Sequence, residues 1–132
     1  MVEIVTIPNK ALRKISKEVS LEEINTPSFK KILEDLSTAL KTRDDGVGLS
    51  APQIAINSRV FVVLGRIINK EYSHDLYFIN PKIIKFSKKL STAEEGCLSI
   101  PNTYGMVKRP SSVVIEYVDE TGEKKTMKAT SL

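Results

Sequence analysis

Apolar residues recur at helical spacing in one stretch of the chain, where Phe29, Ile32, Leu33, Leu36 and Leu40 line a single face. That three-to-four-residue recurrence predicts a helix with one side buried. Thr26-Pro27 stands just before it, a capping hydroxyl followed by proline at the first helical position, where proline's missing N–H costs nothing. Arg43-Asp44-Asp45-Gly46 ends the helix, with glycine supplying the backbone freedom of a helix exit. Upstream, residues 1–25 mix isolated apolar positions with Pro8 and a charged stretch from Leu12 to Glu18. They predict an extended arm with at most a short helical turn.

Beyond the helix the pattern changes to short β-branched and aromatic runs: Arg59–Leu64, Leu76–Ile79, Lys82–Phe86 and Val113–Val118. These predict strands. Asp119-Glu120-Thr121-Gly122 has turn chemistry, so Lys124–Ala129 is expected to return as the second arm of a hairpin. The polar segment Asn69–Asp75 reads as a surface loop. No repeat, low-complexity tract or linker interrupts the chain. One helix followed by several mainly antiparallel strands predicts an α+β fold, with the helix covering one sheet face.

Length and composition narrow this picture. A chain of 132 residues is expected to form one domain spanning 1–132, since a chain of this size buries about two-thirds of its unfolded surface. It ends on Thr130-Ser131-Leu132 directly after a strand, and with one long helix to cover the sheet the domain is expected to be incomplete at its C-terminus. Hydrophobic residues at 41% and charged residues at 27% exclude a disordered chain. No apolar run approaches the roughly 20 residues that span a bilayer, and Met1-Val2-Glu3-Ile4 lacks a signal peptide's basic start, so a cytoplasmic, membrane-free protein is expected. The net charge is +4, yet Lys30-Lys31, Lys88-Lys89 and Lys124-Lys125 are scattered pairs and form no nucleic-acid site.

Two segments carry candidate chemistry. Gly46-Val47-Gly48-Leu49-Ser50-Ala51-Pro52-Gln53 lets another backbone or a ligand approach closely and adds the amide of Gln53. By composition alone a plain helix-to-strand connection is the better explanation, since glycine-rich turns are common and this one lacks the lysine and spacing of a phosphate-binding loop. Glu95-Gly96-Cys97-Leu98-Ser99-Ile100-Pro101 holds the single cysteine. With no disulfide partner, Cys97 reads as a buried small hydrophobe, a metal ligand or a nucleophile.

In this order the two segments resemble the peptide deformylases, in which a glycine-rich stretch ending in glutamine follows a long helix and a Glu-Gly-Cys-Leu-Ser segment comes later. The arm, the helix, Phe78-Ile79-Asn80-Pro81 and Val107-Lys108-Arg109 also lie where that family has similar residues. The resemblance implies hydrolysis of the N-formyl group from formyl-methionyl nascent polypeptides. It implies a divalent metal, iron(2+) with zinc or nickel as substitutes, held by a thiolate and two imidazoles that leave a position open for water. Cys97 is then the metal ligand, and Gln53 and the backbone N–H of Leu98 stabilise the oxyanion. The backbones of Val47, Gly48 and Gly96 hold the peptide in an extended pose, and Ile100 belongs to the pocket for the methionine side chain. Glu95 pairs with Arg109 to brace the metal loop. The partner is a formylated nascent peptide, with proximity to the ribosome.

The family's His-Glu-x-x-His helix does not occur here, and the only histidine, His74, lies in a polar loop. One ligand of three and no general base predict that Cys97 alone does not retain metal and that this chain by itself is inactive. The alternative is a metal-free deformylase-like protein that binds peptides without catalysis.

Overall fold

The computed structural model describes residues 3–43, 46–65, 74–97 and 99–130. The arm carries a 3-10 turn, Lys10–Arg13, and a short helix α1, Leu21–Ile24. The long helix α2 spans Pro27–Lys41, its start fixed by Thr26, whose side chain accepts from the Phe29 N–H at 3.2 Å. Its expected apolar face is the buried one, with Phe29, Leu33, Leu36, Ala39 and Leu40 in the core and Ile32 at its margin. The helix closes earlier than the glycine exit suggests. Thr42 takes over the last turn, donating its hydroxyl to the Ala39 carbonyl at 2.7 Å.

Five strands form one antiparallel sheet in the order β1-β2-β3-β6-β7: β1 Gly48–Ser50, β2 Val60–Val63, β3 Leu76–Phe86, β6 Ser112–Val118 and β7 Lys124–Thr130. A second 3-10 turn, Ala51–Ile54, follows β1 directly. β4, Leu90–Cys97, and β5, Ile100–Pro110, make a separate two-stranded antiparallel sheet. The fold is α+β, mainly antiparallel around one long helix.

α2 lies over the β1–β2 end of the sheet, where Leu49, Val60, Val62 and Ile79 meet its buried face together with Ala51 and Ile54 of the 3-10 turn. Burial of this kind supplies the main favourable contribution to folding, roughly 25 cal/mol per Å² of apolar surface. The same packing seats the 3-10 turn that carries Gln53. A row of aromatic rings crosses β2, β3 and β6, with Phe61 stacked on Phe78 at 4.7 Å and Phe78 tilted against Tyr117 at 4.5 Å. At the outer end of β3, Ile83, Ile84 and Phe86 are exposed, as are Leu90 and Met106 on the hairpin.

The pattern splits residues 76–86 into two strands at Asn80-Pro81, but β3 is continuous with a bulge there. Asn80 adopts a left-handed φ of 51°, a conformation asparagine tolerates better than most residues. Its side chain is held by the arm, accepting from the Val19 N–H and donating to the Val19 carbonyl, both at 2.7 Å. Proline is admitted to an interior strand because the bulge removes the need for its N–H. β4 and β5 carry no hydrophobic alternation and are not legible as strands from pattern. Most of the expected 69–75 loop lies outside the described residues; His74 is exposed.

Candidate active site

The site is built where the turn after β1 meets the end of β4. β1 is an edge strand paired on one side with β2, and the Val47 carbonyl accepts from the Leu64 N–H at 3.0 Å. Alternation along an extended strand then turns the N–H and C=O of Gly48 away from β2, toward the open edge. Of the backbone groups expected to hold a peptide here, the outward pair therefore belongs to Gly48, whereas the Val47 carbonyl is spent inside the sheet. The Val47 side chain is 48% exposed. A Cβ on Gly48 would sit 3.2 Å from the Val62 carbonyl oxygen, so the close approach of β1 to β2 is the reason for glycine.

Ser50 ends β1 and caps the 3-10 turn Ala51–Ile54 that carries Gln53, and a hydroxyl three residues before a glutamine is a capping-box spacing. Gln53 Oε1 accepts from the Ser50 N–H at 3.0 Å and from the Ser50 hydroxyl at 3.2 Å. Its amide nitrogen faces the other way, donating to Ser99 Oγ at 3.1 Å and to Cys97 Sγ at 3.5 Å. Two segments separated by more than forty positions, Gln53 and Cys97, are thus in direct contact.

Cys97 is exposed, which removes the buried-hydrophobe reading left open by its sequence. It ends β4 at a register shift, paired with Ile100 while Gly96 pairs with Tyr104. Ile100 is 37% exposed beside it. Leu98 lies outside the described residues. On the same hairpin Arg109 grips Glu95 with a fork of hydrogen bonds at 2.8 to 3.0 Å. Glu95 stands opposite Gly105 in β5, and Arg109 lies four positions further along that strand, on the same face. The Arg109 hydrogen bond holds the Glu95 carboxyl below its ordinary range, against the opposing effect of burial and with the help of the guanidinium charge.

The arm ties the two segments together. The Val5 N–H donates to the Gln53 carbonyl at 2.7 Å and the Ile7 N–H to the Ser99 carbonyl at 3.1 Å. Neither these contacts nor the part played by Ser50 and Ser99 was assigned from sequence, although the Ser50-x-x-Gln53 spacing was visible there. A cleft of about 930 Å³ lies elsewhere, between the arm and β3, β6 and β7, lined by Glu18, Arg59, Asn80, Lys82 and Lys124 among others. None of the residues singled out in the two motif segments lines it.

Among the described residues no group of three or more His, Cys, Asp or Glu side chains could hold a metal ion. Cys97 is the candidate donor that the described residues place at this site, and a single sulfur does not by itself fix coordination number or geometry. Also among the described residues, no helix is long and apolar enough to cross a membrane.

An exposed thiol and a fixed carboxamide thus lie together between the edge strand β1 and the β4–β5 hairpin of an α+β fold. The polypeptide deformylase family matches residues 1–132 in full, and the chain belongs to that family. It is 37% identical over 124 residues to a peptide deformylase of Microchaete diplosiphon, a match covering 94% of this chain and 64% of that one. A peptide deformylase of Rhizobium meliloti is 36% identical, covering 98% of this chain and 71% of the other. The Met-Ala-Ser-bound crystal structure of a class I type b peptide deformylase from Acinetobacter baumannii superposes with a TM-score of 0.87 at 28% identity, covering 98% and 83%. The chain thus spans about two-thirds of the length of these curated relatives, 64% and 71%.

Proposed function

We propose that this chain forms the cysteine and oxyanion side of an active site that hydrolyses the N-formyl group of formyl-methionyl peptides. The observation that carries the reading is the contact between Gln53 Nε2 and Cys97 Sγ at 3.5 Å. It places an amide donor beside the one cysteine, where the carbonyl oxygen of a formamide would gain negative charge. A donor aimed before the reaction needs no reorganisation during it, which is what makes such groups effective.

In this reading an extended peptide lies along the open edge of β1, paired with the N–H and C=O of Gly48 and with Gly96 on the facing hairpin. Ile100 and Val47 offer apolar surface to the methionine side chain. The Gln53 N–H turns from sulfur to the formyl oxygen, assisted by the Leu98 N–H. Glu95 and Arg109 brace the hairpin that carries Cys97. That a related deformylase was crystallised with Met-Ala-Ser supports an extended peptide with an N-terminal methionine as the ligand class.

Iron(2+), with zinc or nickel in its place, is the metal the resemblance implies, and its chemistry is activation of water. Cys97 is the ligand this chain contributes. The outward N–H and C=O of Gly48 on the edge strand β1, which can hold an extended chain without a metal, favour a second reading, a metal-free protein that binds peptide N-termini without turnover. The cytoplasm, a nascent peptide as substrate and proximity to the ribosome belong to the first reading.

The test is hydrolysis of formyl-Met-Ala-Ser under anaerobic conditions with added ferrous iron. Turnover abolished by Cys97→Ser supports the hydrolase reading. Binding without turnover supports the second, and absence of both overturns the two together.

A further inference from the structure

A glutamine carboxamide has two ends of nearly equal shape and opposite hydrogen-bonding character, so its usefulness as a donor depends on which end faces the reacting group. We propose that Ser50 and Ser99 are positioning residues that hold the Gln53 carboxamide with its nitrogen toward Cys97. This rests on the deformylase reading for its functional meaning, while the positioning itself is a property of the free protein.

The argument begins with the one partner that cannot change character. The Ser50 backbone N–H donates and never accepts, so the Gln53 atom 3.0 Å from it must be the oxygen. The Ser50 hydroxyl, 3.2 Å away, fills the second lone pair of the same oxygen. Both N–H groups then point to the opposite side. Ser99 Oγ takes one at 3.1 Å, and the other faces Cys97 Sγ at 3.5 Å. All four hydrogen-bonding positions of the carboxamide are occupied.

The four contacts are unequal. Two run from nitrogen to oxygen at ordinary length and the Ser50 hydroxyl adds a longer one at 3.2 Å; the fourth is to a thiol sulfur, a weak acceptor. The sulfur-facing N–H is therefore the one most easily surrendered to an incoming carbonyl oxygen, while the other three keep the group from turning. The surroundings are equally fixed. Ser99 is 3% exposed, and the arm holds both backbones through Val5 to Gln53 and Ile7 to Ser99. The left-handed Ala55, with φ of 62°, closes the turn behind Gln53.

The two serines therefore have distinct tasks. Ser50 sets the flip through its backbone and reinforces it through its hydroxyl. Ser99 divides the two N–H groups, occupying one so that the other is left for the substrate.

The experiment follows the Gln53 side-chain amide by ¹H–¹⁵N NMR in the whole chain, for the native protein and for Ser99→Ala, Ser99→Thr and Ser50→Ala. In the native protein the two amide protons should differ strongly in shift and exchange slowly with solvent. Ser99→Ala should narrow that difference toward the separation that slow rotation about the carboxamide C–N bond gives any free glutamine, and speed exchange roughly fivefold, the effect of losing one hydrogen bond of about 1 kcal/mol, and Ser99→Thr should restore both. Ser50→Ala keeps the backbone donor, so the protons should stay distinct with a smaller rise in exchange. This variant carries the test if Ser99→Ala does not fold. Gln53 amide signals and exchange unchanged in Ser99→Ala would overturn the proposal, as would native protons no further apart and no slower to exchange than those of a free glutamine side chain. A parallel measurement of the affinity for formyl-Met-Ala-Ser relative to Met-Ala-Ser should show a preference that Ser99→Ala lowers and Ser99→Thr keeps. A native protein with distinct Gln53 protons and no formyl preference would sink the deformylase reading and leave the positioning standing.

Discussion

The hairpin turn between β6 and β7 offers a stability prediction that is independent of the candidate site. Asp119 is 7% exposed, and its Oδ1 accepts from the Thr121 N–H at 2.9 Å, the Thr121 hydroxyl at 2.6 Å and the Glu123 N–H at 3.1 Å. Oδ2 meets the Lys125 ammonium at 2.9 Å. Burial pushes its pKa up, but the hydrogen bonds from Thr121, Lys125 and the turn backbone outweigh it and bring the carboxyl from the ordinary 3.8 down to about 2. Such a drop corresponds to about 2.5 kcal/mol at 1.36 kcal/mol per factor of ten. The Lys125 side chain is 48% exposed, so solvent screening reduces the expected contribution to about 1–2 kcal/mol.

A carboxyl whose folded pKa lies below its unfolded value stabilises the protein fully above the unfolded pKa. That stabilisation disappears as pH falls from about 4 through about 2. Asp119→Asn keeps an acceptor at Oδ1 and sets an amide N–H₂ against Lys125 in place of the carboxylate. Urea denaturation of the native protein and of Asp119→Asn should differ by about 1–2 kcal/mol at pH 7, with the difference shrinking toward pH 2. Other carboxylates titrate equally in both proteins and cancel. A difference that is the same at pH 7 and pH 2, or no difference at pH 7, would refute the reasoning.

Two further outcomes are expected. Leu36, fully buried between α2 and the sheet, should cost about 2–5 kcal/mol when changed to Ala, measured by the shift in urea midpoint. Gly48→Ala places a Cβ 3.2 Å from the Val62 carbonyl oxygen, so Tm should fall modestly and peptide affinity should fall with it, because the outward backbone of β1 moves. Unchanged affinity in a folded Gly48→Ala would remove the β1 edge from the binding surface.

How much of this was legible in the sequence depended on how local each feature is. α2 follows from five apolar residues on one face and the Thr26-Pro27 start, and all of these behave as the spacing predicts. β2 and β6 follow from short β-branched runs, and β7 from the turn chemistry of Asp119-Glu120-Thr121-Gly122 that sends the chain back. β3 was divided because Asn80-Pro81 resembles a break, and its continuity depends on the arm, where Val19 holds the Asn80 amide. The β4–β5 hairpin was missed for another reason. Its strands mix glycine, lysine, glutamate and arginine, and they pair only with each other, so no hydrophobic alternation marks them. That Gln53 and Cys97 belong to one site is an expectation from family resemblance, since no periodicity links positions so far apart; their direct contact appears only in the structure. Ser50 could have been found from its spacing to Gln53. Ser99 could not, because its hydrogen bond depends on where the hairpin lies.

The most direct measurement is chemical-shift mapping as formyl-Met-Ala-Ser is added to the protein. Perturbations should concentrate on Gly48, the Gln53 side chain, Gly96 and Ile100, with weaker effects from Met-Ala-Ser. Perturbations centred on Asn80, Lys82 and Lys124, in the cleft of about 930 Å³, with Gln53 unmoved, would contradict the placement of the active site.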